Sequence, residues 1–229
     1  MKLNYYLSLA ALIPAAILFV RIYQLDHIEK EPRRLLGKLV LFGALAAVPA
    51  ALAQLLLTRA ALGRSTVWYL LLDNFVIVAC SEELAKLLPV RLAAWDHPAF
   101  DYRFDAIVYS VSSALGFAAV ENILYVLQSD LRTAVSRAIL SVPGHFFFAV
   151  SMGLLLSRAK QAECCGQLQR RRVLALLALA VPTLLHGLWD FLLAAGSRWA
   201  VIAFYAFVAA FFITADVCLR RASRTDSRL

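Results

Sequence analysis

Charge is scarce in this chain. Asp, Glu, Lys and Arg make up 17% of its 229 residues, against about a quarter in soluble domains. With 62% hydrophobic residues and a mean hydropathy of +0.73, that shortage excludes an ordinary soluble globular domain. Cysteine is also too sparse and too badly spaced for a disulfide framework. Cys80 and Cys218 fall in apolar stretches, and Cys164 and Cys165 are adjacent, so that a mutual bridge would be strained. The reading is four reduced, structural thiols. No internal repeat, low-complexity tract or interdomain linker divides residues 1–229, which read as a single domain. The net charge of +8 could suit nucleic acid, but the positive residues cluster in short segments between apolar runs. The partner this implies is a lipid bilayer and not a nucleic acid.

What the chain has is long apolar runs: Leu3–Val20, Leu35–Leu57, Val67–Val90, Phe104–Leu127, Thr133–Leu156, Val173–Ala194 and Trp199–Leu219. Each approaches the ~20 residues that carry a helix across ~30 Å of hydrocarbon. The fold class expected is therefore an all-α polytopic transmembrane bundle of about seven spans, with room for an eighth or a re-entrant helix. The first run, led by Lys2, has the look of a secretory signal but reads better as an uncleaved first helix. Basic residues set the orientation. Sixteen lie in one set of alternate connections and six in the other. This split puts the N-terminus outside and the C-terminus in the cytoplasm. The charged segment Gln24–Arg34 reads as a solvated loop or interfacial helix.

The polar residues inside the runs carry the chemistry, because an ionisable group at membrane depth costs roughly 3 kcal/mol or more. Glu82 and Glu83 with Lys86 interrupt the third run. Glu82 and Lys86 stand at i,i+4 on one helix face, while Glu83 points about 100° away. A pair of neighbouring carboxylates suits general acid/base work on water; the bland alternative is a snorkelling helix end near Pro89 and Arg91. On the fourth run Gly116, Ala118 and Ala119 permit close helix approach ahead of Glu121 and Asn122, though a carboxylate near the interface would also fit. His145 lies near the middle of the fifth run, and His186 with Asp190 at i,i+4 on the sixth, where the aspartate can orient the imidazole. Counted from the middle of each run, Glu82 sits about four residues toward the cytoplasm and Glu121 about five toward the outside. At 1.5 Å per residue that is a height difference of about 13 Å.

Glu-Glu-x-x-Lys at 82–86, Gly-Phe-Ala-x-x-Glu-Asn at 116–122, a histidine on the next helix and His-Gly-x-x-Asp at 186–190, in that order, resemble the PrsW intramembrane proteases. These are similar to the type II CAAX prenyl endopeptidases and the bacterial Abi (CPBP) proteins. The resemblance covers 82–190, the catalytic core it implies. It further implies a multi-pass enzyme of the bacterial inner membrane that cuts single-pass membrane substrates such as anti-sigma factors. Carried over by position, the catalytic residues are Glu82, Glu83, Glu121, His145 and His186, supported by Lys86, Asn122 and Asp190. Glu82 or Glu83 would act as base on a water molecule. His145, His186 and Glu121 make an open three-ligand set for zinc or another divalent metal, although no HExxH motif is present. The resemblance fits a metallo- or a glutamate-type mechanism equally. Asp105-Ala106 and Tyr109-Ser110 depart from the family pattern at positions that concern packing. The competing classes are a proton- or ion-coupled transporter, since intramembrane acids also mark ion pathways, and a non-catalytic scaffold. Oligomeric state is not encoded.

Overall fold

A computed structural model describes residues 2–61, 67–128 and 135–229. Among these, seven helices and no strand form the chain. They are α1 (Lys2–Leu25), α2 (Arg33–Ala61), α3, α4 (Asp105–Gln128), α5, α6 (Leu168–Ala194) and α7 (Arg198–Arg224). Helix α3 is one run in three registers: Val67–Leu71, a π-helical stretch Leu72–Cys80, and Ser81–Ala93. Helix α5 opens on a π-helical turn, Arg137–Ser141, and continues as Val142–Cys164.

Among the described residues the seven apolar runs are helical apart from Phe104, and five helical segments are long and apolar enough to cross a membrane. They are Arg33–Thr58, Asp105–Leu127, Ile139–Cys164, Leu168–Ala194 and Arg198–Arg224. Arg64, Arg132 and Thr133, which entered the span and orientation reading, lie outside the described residues. Several helices outrun their apolar stretches; α5 continues past Leu156 to Cys164 and α6 starts at Leu168. Arg, Lys, Gln and Glu are good helix formers, so the backbone stays helical where hydrophobicity stops. The four cysteines are free thiols.

Helix α4 is the axis of the bundle, with α2, α5 and α1 packed around it. In its apolar stretch 72% of residues are buried, against 22% in α2 and α7. Small residues on α4 permit this. A Cβ on Gly116 would sit 2.0 Å from the Val40 carbonyl oxygen, and one on Gly43 would sit 2.0 Å from that of Ser113. The two helices therefore touch backbone to backbone, as small residues allow in membranes. Gly116→Leu is expected to lower stability in detergent by about 1–3 kcal/mol through overpacking. Gly37→Leu, with open space at its Cβ, should leave the unfolding curve in place. Equal behaviour of the two variants would remove this contact from the account.

The connection between α1 and α2 is a loop exposed at His27–Lys30 and Pro32, but two of its carboxylates turn inward. Asp26 and Glu31 are buried, and Glu31 receives the Tyr109 hydroxyl hydrogen bond. Tyr109 also reaches the Ala99 carbonyl at 2.8 Å. Asp105 accepts the backbone N–H groups of Asp101 and Tyr102 at 3.0 and 2.7 Å, so it caps the approach to α4. Burial pushes the carboxyl of Glu31 up to about 7 and that of Asp26 up to about 6. The carboxylates of Asp26 and Asp101 add to the rise at Glu31. With its folded value raised, Glu31 keeps a proton that the unfolded chain releases, so its contribution is lost as pH climbs from about 4.5 to about 7. The melting temperature should fall over that window, and Glu31→Gln should flatten the fall.

Candidate active site

Ser81 sits where the π-helical stretch of α3 returns to α-helix, and its hydroxyl bonds the carbonyls of Ile77 and Val78 at 2.6 and 2.9 Å. A π-turn carries more residues than an α-turn and recurs at functional sites. It shortens the distance between the start of α3 and Glu82. The 13 Å height difference counted along the runs does not keep Glu82 and Glu121 out of one site. The two glutamates line one cavity of about 670 Å³ and are joined through Lys86 and His145.

The polar side chains form a continuous chain across four helices. Asp190 Oδ2 lies 3.3 Å from His186 Nε2, and His186 Nδ1 lies 2.9 Å from Glu83 Oε1. Lys86 Nζ donates to Glu83 Oε1 at 2.7 Å and to His145 Nδ1 at 2.8 Å. His145 Nε2 lies 2.7 Å from Glu121 Oε2, and Arg137 Nη2 closes on Glu121 Oε1 at 2.8 Å. An ammonium only donates, so Nδ1 of His145 accepts and its Nε2–H donates to Glu121. Glu82 Oε2 stands 3.4 Å from Lys86 Nζ and 3.9 Å from His186 Nε2. The expectation that Lys86 faces Glu82 alone is corrected, because its shorter bond goes to Glu83. Residues at i,i+3 are also helix neighbours, and the long lysine stem reaches both carboxylates.

Burial sorts the roles. Glu83 and Lys86 are fully enclosed, whereas Glu82, Glu121, Arg137, His145, His186 and Asp190 line the cavity. Asn122 is buried beside Glu121. Aromatic rings hold the imidazoles in place: Phe148 stacks on His186 at 4.9 Å between centroids and 16° between planes, and Phe117 lies 4.8 Å beneath Lys86 Nζ. Oε2 of Glu83 is buried with no hydrogen-bond partner.

Three contributors escaped the sequence reading. Gln54 of α2 reaches Glu82 Oε1 and Ser81 Oγ, each at 3.2 Å. Arg137, one of the six basic residues in the sparser set of connections, pins Glu121. Ser113 bonds the Lys86 carbonyl at 2.7 Å. Gln54 and Lys38 are the two strongly polar side chains in an otherwise apolar run, and Arg137 lies eight residues before His145 on one helix face, which are the signals that could have found them.

Glu82, His145 and His186 each offer a ligand atom, all within 4.8 Å of one another. Glu121, the glutamate expected in a metal set, is outside that group and engages Nε2 of His145 instead. The donors fit a divalent cation. Four carboxylates (Glu82, Glu83, Glu121, Asp190) face two fixed cations (Lys86, Arg137), leaving a formal charge of two negative. Each histidine also has a nitrogen held by a carboxylate, Glu83 at His186 and Glu121 at His145, as outer partners of metal-bound imidazoles do; Nδ1 of His145 accepts from Lys86, so a cation there would take the place of that hydrogen bond.

The profile of the PrsW family intramembrane metalloproteases matches residues 31–215. The chain belongs to that family. It is 36% identical over 190 residues to "Protease PrsW" of Geobacillus kaustophilus, covering 83% of this chain and 80% of that one. Against the same-named protein of Clostridioides difficile it is 35% identical over 214 residues, covering 91% and 87%. With that of Bacillus subtilis it shares 32% identity over 191 residues, covering 83% and 84%. No solved structure matches it. The chain is thus a multi-pass membrane protein and an intramembrane peptidase. The cavity and its polar chain lie within the region matched to the PrsW profile.

Proposed function

We propose that this PrsW-family peptidase cuts single-span membrane proteins, anti-sigma factors being the substrate class the resemblance implies. It would do so in the bacterial inner membrane with its C-terminus in the cytoplasm. One observation supports this most strongly: two glutamates and two histidines from four helices meet at one cavity inside the bundle. Gln54, Tyr125, Arg137 and Leu193 also line the cavity, at the helix ends opposite the arginine-rich connections. On the positive-inside reading, the site therefore opens to the extracytoplasmic side.

Glu82 is the carboxylate best suited to act as base, because it lines the cavity while Glu83 lies behind it. Glu82 takes a proton from water as the hydroxyl adds to the peptide carbonyl carbon. The oxyanion accepts a hydrogen bond from a protonated His186 Nε2. The C–N bond then breaks, and the proton held by Glu82 passes to the departing amine. Glu83 positions His186 and Lys86, and Arg137 and His145 fix Glu121. A divalent metal held by Glu82, His145 and His186 would supply Lewis-acid polarisation and a more acidic water. With Glu82 then engaged as a ligand, Glu121 and Asp190 would be the carboxylates left on the cavity wall.

The deciding experiment uses purified protein and a reconstituted single-span substrate, with and without chelator. Cleavage by the wild type and its loss in His186→Ala, inserted normally, supports the peptidase mechanism. Chelator sensitivity reversed by zinc assigns the metal. No cleavage, together with proton-coupled uptake in liposomes, would return the site to the transporter class.

A further inference from the structure

A second recess, of about 450 Å³, lies at the opposite end of the bundle, between the start of α4 and the ends of α5 and α7. Its rim carries Arg103, Arg158 and Arg221, one from each wall, with the polar side chains of Ser157 and Gln161 between them. Among the described residues no carboxylate pairs with any of the three guanidinium groups within 4.0 Å; the arginines that form ion pairs are Arg21, Arg137, Arg171, Arg220 and Arg228. Asp226 acts on Arg103 electrostatically, but its Oδ1 accepts the backbone N–H groups of Phe104 and Ser227 at 2.9 and 2.8 Å. Three unpaired guanidinium groups around one hollow are a strong attractor for an anion, and the planar fork suits phosphate.

Below the arginines the walls turn apolar at Phe104, Ile107 and Leu154. An apolar stripe continues outward. Ile213 and Val217 stand eight and four residues before Arg221 on the same face of α7, and they are 66% and 60% exposed. The recess is thus charged at the membrane surface and continuous with a lipid-facing helix face beneath. A free phosphate would use the first half of that arrangement and not the second. Basic pockets between membrane helices on the arginine-rich side hold lipid headgroups.

We propose that this recess binds the phosphodiester headgroup of an anionic phospholipid, whose acyl chains lie along Ile213 and Val217. The test is lipid binding to the purified, delipidated full chain, read by native mass spectrometry. The probes are phosphatidylglycerol, phosphatidylcholine and inorganic phosphate. Wild type should retain phosphatidylglycerol over phosphatidylcholine. Arg158→Gln/Arg221→Gln should weaken that binding on the order of ten-fold or more. Arg33→Gln/Arg34→Gln, with the same charge removed at the exposed start of α2, should bind as wild type does. Should the first double variant fail to fold, Arg158→Gln is compared with Arg33→Gln on the same expectation. Equal loss in both variants would reduce the effect to overall charge and overturn the proposal. Equal retention of phosphatidylcholine would overturn it too, as would displacement of phosphatidylglycerol by inorganic phosphate at matched concentration.

Discussion

Glu82→Gln should lower the rate of substrate cleavage by about 10²–10⁴-fold, the range that a positioned general base contributes. The substitution keeps the shape of the side chain and its contact with Gln54, 3.2 Å away. It removes the ability to take a proton or hold a cation and the longer of the two carboxylate contacts of Lys86, while the shorter one to Glu83 stays, so the protein should still fold. Because Glu82 lines the cavity, its loss acts on chemistry with or without a metal. Glu83→Gln is expected to behave differently. That residue touches Lys86 and His186 and not the cavity, so its substitution should also shift the pH profile of whatever activity survives. Cleavage by Glu82→Gln at the wild-type rate would remove Glu82 from the mechanism. A cleavage time course on detergent-purified variants of matched melting temperature makes the comparison.

The membrane bundle was legible because hydropathy is a one-dimensional property. Seven apolar runs gave seven helices, and only their charged extensions, such as 157–164 on α5, lay beyond what hydrophobicity reports. The convergence of Glu82, Glu121, His145 and His186 was legible for an energetic reason: isolated ionisable groups are costly in lipid, so several of them on neighbouring spans find one another. Their heights were not legible. A count of 1.5 Å per residue places backbone positions and does not report the reach of Lys86 and His145, which bridge Glu82 to Glu121. The ligand group was also hidden. Glu82 rather than Glu121 groups with the histidines, while Arg137 holds Glu121, a contact between α5 and α4 that no motif announces. Asp26 and Glu31 show the same limit from the other side. Their charge spoke for solvent, while a hydroxyl on α4, Tyr109, draws Glu31 inward.

Lys86→Met should destabilise the protein by about 3–5 kcal/mol, the cost of removing one partner from a buried ion pair. Methionine matches the stem of lysine in length, so the loss reflects charge and not a cavity. Lys86 has no exposed surface, and its ammonium joins Glu83, Glu82 and Nδ1 of His145. Without it, Glu83 keeps one contact, to His186, in a site where its other oxygen already lacks a partner. Two carboxylates one residue apart would then face each other with no cation between α3 and α5. Glu83→Gln added to Lys86→Met should recover part of the loss, because it removes the charge left stranded. The coupling between the two positions should be about 0.5–3 kcal/mol, as for residues sharing one network. Unfolding curves in mixed detergent for the wild type, both single variants and the double variant measure it. Additive single-variant effects would mean that Lys86 stabilises the bundle by packing over Phe117 rather than by neutralising its glutamates.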